Sequence, residues 1–451
     1  MIHSVRRAIF LLIAFVIPSA ACAQTPAAGD TLSLDAAIQA ALENNFQAQI
    51  ARNDVDLAAN NRSVGNAGFL PEVTAQAGYD ETISTSQQAF LSGEEQDESG
   101  AKTTSRRASA ELRWTLFEGL SRFATYRRLD AELEQARALR QERLERVLFD
   151  VIATYYDAAR QQQQLDVFRE AAAISEERLR IARVRNEVGT FSDLEVRRAR
   201  VDLNADRAAA LRQEVTLATT KATLNRLMAR RSAPTDYGVA ATIAIDRTLQ
   251  EGMLLQAAQD GNPVLRQARR ALRVAELERR TIQAERLPTV DATLGYGYSR
   301  LEAESGFLRS NESYDLTYGL ALSLDVFNGL NRRRRIENTE VRIRNAALTV
   351  QDLETQLATE IASAYQNYRN RLQLVELEQE NLTAAQENVA IALERFELGE
   401  ITSVELREVQ EQRIQAESRL LTAQFEAKQA ETTLLQLSGR LQQRVGGVPR
   451  E

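Results

Sequence analysis

Cysteine and histidine occur once each in 451 residues, tryptophan once, methionine three times and proline seven times. A single cysteine, Cys22, excludes a disulfide within the chain. Both Cys22 and His3 fall in the opening stretch "MIHSVRRAIFLLIAFVIPSAACAQ". There Arg6 and Arg7 precede an apolar run from Ala8 to Ile17, then Pro18 and small residues, which reads as a secretory signal over residues 1–23 cleaved after Ala23. A second reading makes Cys22 the lipidated first residue of a lipoprotein, against which Ser19 stands where a lipobox usually has Leu. No apolar run reaches the roughly 20 residues of a membrane-spanning helix.

Once that segment leaves, the chain lacks the usual general base, thiol nucleophile and soft metal ligands, and Met228 and Met253 alone make no metal ladder. No nucleophile elbow, phosphate loop or zinc motif is present, so no catalytic residue is named and an enzyme is not expected. The net charge of −7 gives no electrostatic footprint for nucleic acid. The one dense basic run, "NRRRRIE" from Asn331 to Glu337, fits either a solvated helix start or contact with phospholipid head groups.

What is present is a duplication. "WTLFEGLSRF" from Trp114 returns as "LDVFNGLNRR" from Leu324, with Gly119 and Gly329 separated by 210 positions. "FLPEVTAQAGY" at Phe69 is answered by "RLPTVDATLGY" at Arg286, and "NEVGTFSDLEV" at Asn186 by "FELGEITSVEL" at Phe396. Offsets stay between 209 and 217, so residues 24–239 and 240–440 are two copies of one fold, followed by a tail at 441–451.

Each copy reads helix, strand, long loop, strand, very long helix, tight turn, long helix. Strict alternation predicts strands at about 72–82, 107–117, 289–299 and 314–326. Val290, Ala292, Leu294, Tyr296 and Tyr298 mark one face, as do Ala108 to Leu116 at every second position. Strands of about ten residues with this dyad period suit either a soluble sheet or a tilted membrane-barrel strand. Helical hairpins are expected at about 120–229 and 330–437. Neither Pro nor Gly interrupts 120–187 or 330–398, which at 1.5 Å per residue gives rods of about 100 Å. Ile336, Ile343, Val350, Leu357 and Ala364, then Tyr368, Val375, Leu382, Val389 and Phe396, recur every seven residues, the seam of a coiled coil. Four strands cannot close a barrel, and an open sheet in lipid leaves its edges unpaired, so three copies with twelve strands are the expected solution.

The repeated "LP-x-V" strand start, the "F-x-G-L" strand exit and the "V/L-G-x-x-(S/T)" tip, in this order over nearly the whole mature chain, resemble the TolC-type outer-membrane efflux proteins. The resemblance implies a mostly helical α+β membrane protein of the outer membrane of a Gram-negative bacterium. It would be a homotrimer with a twelve-stranded barrel and a periplasmic helical tunnel, embedded in outer-membrane lipid. It implies a passive, gated conduit for a tripartite efflux or type I secretion system, joined by a periplasmic adaptor to an inner-membrane pump of RND or ABC type, with no cofactor. Pro71, Gly119, Pro288 and Gly329 would be the strand-to-helix transitions. Acidic residues beyond the tip glycine would narrow the aperture, which here are Glu405 and Glu408, with Glu195 matching Glu405 in the first copy. The tips Val188, Gly189, Thr190, Phe191 and Ser192, and Leu398, Gly399, Glu400, Ile401 and Thr402, would meet the adaptor. Phe191 and Ile401 are apolar residues in turns expected to be exposed. Ile401 stands where some family members carry an arginine that locks the closed tip, so the resemblance stops short of that latch. Thr82–Arg107 and Arg300–Glu312 would be the extracellular loops. The competing readings are a periplasmic adaptor, which has one hairpin flanked by compact β domains, and a secreted coiled-coil structural protein, which has no use for four matched strands.

Overall fold

The computed structural model describes residues 31–89, 91–230, 235–240, 242–306 and 308–444. The expected signal segment, with His3 and Cys22, and residues 445–451 of the expected tail lie outside them. The first copy runs β1 (Thr31–Leu32), α1 (Leu34–Asn44), α2 (Phe46–Asn61), β2 (Glu72–Ala89), β3 (Glu95–Glu118), α3 (Ser121–Glu187) and α4 (Asp193–Leu227). The second runs β4 (Gly238–Val239), α5 (Glu251–Gly261), α6 (Pro263–Ala284), β5 (Thr289–Ala303), β6 (Ser310–Ser323), α7 (Asn331–Glu397) and α8 (Ser403–Leu437), then one turn, α9 (Leu441–Arg444).

The single helix expected ahead of each strand pair is broken in two, at Asn45 and Asn262. Each Asn carboxamide oxygen caps the following helix, accepting from Gln47 N–H at 2.8 Å and Leu265 N–H at 3.0 Å. Each amide group donates to the last turn of its copy's returning helix, at Leu227 O (2.8 Å) and Leu437 O (2.9 Å). The breaks are therefore joints that tie both ends of a copy together. Short parallel pairing of β1 with β4 adds a second tie, Thr31 to Gly238 and Leu32 to Val239.

The main core lies on the middle of α3, where Leu148, Val151, Ile152 and Tyr155 pack with α1, α4 and β4. Tyr155 donates its hydroxyl to Leu32 O at 2.8 Å, which keeps a buried polar atom paired. The second-copy core is built on α7 from Leu357, Ile361 and Tyr368 with α5 and α8. It continues down the heptad seam through Val375 and Leu382.

Strands β2, β3, β5 and β6 form one antiparallel sheet in that order. Its registers place Val73, Ala75, Ala77 and Tyr79 across from Leu112, Ala110, Ala108 and Arg106. Leu112, Ala110 and Ala108 face Leu294, Tyr296 and Tyr298, which face Tyr318, Leu316 and Tyr314. One face is thus apolar across all four strands, up to the row of Ala77, Ala108, Tyr298 and Tyr314. Above that row the same face turns charged, with Arg106 opposite Arg300 and Arg300 opposite Glu312. The other face carries Thr74, Gln76, Ser109, Glu111, Thr293, Gly295 and Thr317.

Three strand expectations change. Strands β2 and β3 run on to Ala89 and from Glu95, and β5 and β6 to Ala303 and from Ser310. Most of the two expected loops is therefore hairpin ladder. Ser, Thr and Gln there pair chiefly through backbone groups, with Thr85 Oγ1 accepting from Gly100 N–H at 3.2 Å. Second, Leu116 is not in the alternating row: a bulge between Thr115 and Phe117 brings Phe117 opposite Val290. Third, β6 stops at Ser323, short of the expected Val326. No helix among the described residues is long and apolar enough to cross a membrane.

Candidate functional site

The long hairpins reverse at Gly189 and Gly399, both left-handed at φ +80° and +78°. Thr190 and Glu400 then donate their N–H groups to Arg185 O (2.8 Å) and Arg395 O (2.9 Å), closing each tip. The next helices start on Ser192, which accepts from Glu195 N–H at 3.4 Å, and on Thr402, which accepts from Glu405 N–H at 3.3 Å.

The three acidic residues picked from the sequence hold three different positions. Glu405 completes a capping box: its carboxylate accepts from Thr402 N–H at 2.7 Å and Thr402 Oγ1 at 3.0 Å. The Thr402 backbone N–H, then its hydroxyl, hold that carboxyl below the usual range. Glu195 accepts instead from Ser403 Oγ of the other hairpin at 2.7 Å. Glu408 is exposed on α8.

Phe191 and Ile401 are half-buried rather than exposed. Both pack with Ala392, Phe396 and Leu406 of the second hairpin, so that hairpin covers the first hairpin's turn as well as its own. The Arg185 guanidinium lies 5.2 Å from the ring centres of both Phe191 and Phe396. The exposed apolar tip residues are Val188 and Leu398, at 69 % each, together with Leu194 and Val404. The last two went unnoticed in the sequence, although they occupy matching positions just inside each restarting helix.

Behind the tips, a polar bridge joins the hairpins. Arg407 of α8 makes a two-pronged ion pair with Asp206 of α4, at 2.7 and 2.8 Å. Asp206 also accepts from Ser175 Oγ of α3 at 2.5 Å. Arg178 of α3 reaches Ser403 O at 3.2 Å and Asp202 at 3.5 Å. Asp206 and Ser175 are buried. The Asp206 hydrogen bond holds the Arg407 guanidinium further into its charged range, while burial lowers that of Arg178. Arg407 and Asp206 are 201 positions apart, and no periodicity or spacing in the sequence flags them.

At the other end of the helices, Pro71 and Pro288 directly precede β2 and β5, and Gly119 and Gly329 follow the outgoing strands. Both glycines are left-handed, at φ +55° and +63°, as are Leu120 and Leu330 after them. In the first copy, two successive left-handed residues turn strand into helix within one step, at a cost of about 1–2 kcal/mol for each non-glycine residue. A Cβ on Gly119 would lie 2.2 Å from Ala284 O and 2.9 Å from Leu287 Cβ, whereas one on Gly329 would meet only the Asn331 amide at 3.8 Å.

The sequence profile of the family described as "Outer membrane efflux protein" matches residues 37–230 and 254–440, one segment in each copy. Protein CyaE of Bordetella pertussis is 26% identical over 260 residues, covering 57% of this chain and 54% of CyaE, so the chain spans about half the length of this curated relative. Among solved structures, the outer-membrane channel OprN superposes with a TM-score of 0.71 at 18% identity, over 90% of this chain and 89% of OprN. The open state of the Neisseria gonorrhoeae MtrE outer membrane channel gives 0.71 at 16%, over 90% and 89%. At these identities the likeness is one of fold.

Proposed function

Because this chain belongs to the outer membrane efflux protein family, we propose that it is the outer-membrane channel of a tripartite efflux or type I secretion system. Three copies close a twelve-stranded barrel, and their hairpins continue it as a tunnel into the periplasm. Cargo is driven by an inner-membrane pump of RND or ABC type and handed over through a periplasmic adaptor, and this chain is the passive conduit.

The observation that carries this reading is the four-stranded sheet. It is apolar on one face in matched rows across every strand, polar on the other, and unpaired at β2 and β6. An apolar band of that kind faces hydrocarbon, and hydrocarbon does not tolerate unpaired edges. Strands from other copies must complete the ladder. The polar face then lines water, with Thr, Ser, Gln and Gly lining a wide lumen.

At the periplasmic end, Val188, Leu194, Leu398 and Val404 are the apolar surface offered to the adaptor. The Arg407–Asp206 bridge and the Phe191–Arg185–Phe396 stack hold the two tips of a chain as one unit, so widening the aperture moves them together or breaks the bridge. Glu408 is the acid best placed to form a ring of negative charge, because Glu405 is engaged in its cap and Glu195 with Ser403.

The test is single-channel conductance in planar bilayers, wild type against Glu408→Ala, with divalent cations added on the periplasmic side. Cation-selective pores blocked by divalents, with block lost in the variant, support both the conduit and the ring. Pores with unchanged selectivity and block remove Glu408 from the aperture. A folded trimer that makes no pores contradicts the conduit itself.

A further inference from the structure

Four arginines in a row open α7: Arg332, Arg333, Arg334 and Arg335. The start of a helix favours negative charge, yet the first turn of α7 holds no acidic residue. The duplication supplies an internal control. At the offset of 210 that carries Gly119 to Gly329, Phe123, Ala124 and Thr125 stand where the second copy has Arg333, Arg334 and Arg335. Both copies make the same left-handed turn into a helix of 67 residues, so neither turn nor helix needs arginine there. We infer that this run binds the phosphate of a phospholipid head group in the periplasmic leaflet of the membrane, with Arg333 and Arg334 as the contacting residues. Such a site rests on the channel reading above, which sets the sheet in lipid.

The run lies where head groups lie. On β6 the apolar face extends from Leu322 to Tyr314, eight positions apart, which is about 26 Å along the strand. Tilted as barrel strands are, that length spans most of an outer-membrane apolar belt about 25 Å tall. Below Leu322 the chain passes Leu324, Val326, Phe327 and Leu330, all more than half exposed, and then reaches the arginines. Apolar side chains followed by guanidinium groups match the order in which a phospholipid presents its acyl chains and its phosphate.

The four side chains divide the work. Arg332 is mostly buried and reaches back to Asp325 O at 3.3 Å, bracing the turn. Arg335 forms a two-pronged pair with Glu285 at 2.7 and 2.8 Å, which ties α7 to the end of α6, one residue before Arg286. Arg333 has Glu337 on one side at 2.8 Å and leaves 75 % of its side chain exposed. Arg334 and Arg286 are exposed, and neither forms an ion pair among the described residues; Arg334 reaches only the Asn331 carboxamide, at 3.5 Å. Five arginines here therefore share three carboxylate partners, Glu285, Asp325 and Glu337. The far end of the apolar face is different. There Lys102 pairs with Glu81 at 2.9 Å, Arg300 with Glu302 at 2.6 Å, and Arg106 lies 3.9 Å from the same Glu302. Those cations already have carboxylates in place, whereas Arg333 and Arg334 leave positive charge open to a lipid anion.

To test this, the purified oligomer is mixed in detergent with equal amounts of phosphatidylglycerol and phosphatidylcholine, and the lipid it carries is identified by native mass spectrometry. Wild type should prefer phosphatidylglycerol by roughly five-fold or more, since each arginine at a membrane surface contributes about that factor. Arg333→Phe/Arg334→Ala, which takes the residues of the first copy, should abolish the preference while the oligomer and its far-UV circular dichroism are kept. Arg334→Ala alone should lower it in part, Arg333→Lys/Arg334→Lys should retain most of it, and Arg106→Ala, at the opposite end, should leave it unchanged. An unchanged preference in both alanine-bearing variants at the run would overturn the site. So would displacement of the lipid by inorganic phosphate more readily than by sodium chloride of equal ionic strength, which would make this a site for free anions. A wild-type oligomer without lipid preference overturns the site and leaves the channel reading standing. A wild type that stays dispersed in buffer without detergent contradicts the channel reading, and the lipid site with it.

Discussion

The two copies share one plan but are finished differently. Helices α3 and α7 have the same length, 67 residues. Along α3, buried residues lie on several faces, because α2, α4, α6 and α8 surround it. Along α7 they fall on little more than one heptad seam, including Leu357, Ile361, Tyr368, Val375 and Leu382, and Val341 and Leu348 are left exposed. Carboxylates on the two helices diverge in the same way: Glu145 is buried on α3, while Glu354 on α7 pairs with Arg269 at the surface, 2.8 Å away. The second copy completes the first inside the chain. On the channel reading proposed above, another chain completes the second.

Substitutions made in matched pairs break or sharpen this comparison. The largest effect is expected at Gly119→Ala, where the new Cβ meets a carbonyl at 2.2 Å in a left-handed turn. Overpacking and the backbone conformation together cost about 4 kcal/mol. Chemical denaturation of the detergent-solubilised, unassembled chain should show a much smaller loss for Gly329→Ala, and equal losses would erase the difference between the copies. Next comes Asp206→Ala, which removes the two-pronged partner of the mostly buried Arg407 guanidinium and leaves it Glu411 at 2.8 Å, at a cost of about 3 kcal/mol. Hydrogen exchange should then rise on both sides of the bridge, in α4 and α8, and a change confined to α4 would mean that the hairpins were never coupled.

The third is a pH effect. Burial raises the Glu145 carboxyl from 4.5 to about 7, outweighing the Gln141 hydrogen bond and the Arg266 charge. The fold therefore favours the protonated form. Stability from this group is fully present below pH 4.5, falls as the pH rises toward 7, and is flat above. Glu145→Gln should remove that slope and stabilise the chain at pH 8 by about 2 kcal/mol. Glu354→Gln, at an exposed ion pair, should change stability by less than about 0.5 kcal/mol. The smallest is Glu405→Ala, which removes half of a capping box and costs about 1 kcal/mol, read as local fraying of α8 by hydrogen exchange.

The long helices and the strands' inner halves were legible because lipid and coiled-coil packing both impose a strict period on the sequence. The outer halves of the strands were not, since "SGEEQDESGAKTTS" has the composition of a loop and pairs through backbone groups that any residue supplies. The breaks at Asn45 and Asn262 were missed because cap residues inside a helical pattern are weak signals until their partners, Leu227 and Leu437, are known. Thr402 and Glu405 carry the spacing of a capping box in plain sight, and family resemblance drew attention to another role for the same glutamate. The Arg407–Asp206 bridge joins residues two hundred positions apart, and only the fold brings them together.

The most direct measurement is hydrogen exchange of the assembled protein at Leu324–Asn328, read against Trp114–Glu118 of the same molecule. If another chain completes the second copy, the two segments should be protected to a similar degree in the oligomer, and only Leu324–Asn328 should lose protection when it is dissociated. Rapid exchange at Leu324–Asn328 in an intact oligomer would contradict the claim that the second copy is finished by a neighbouring chain.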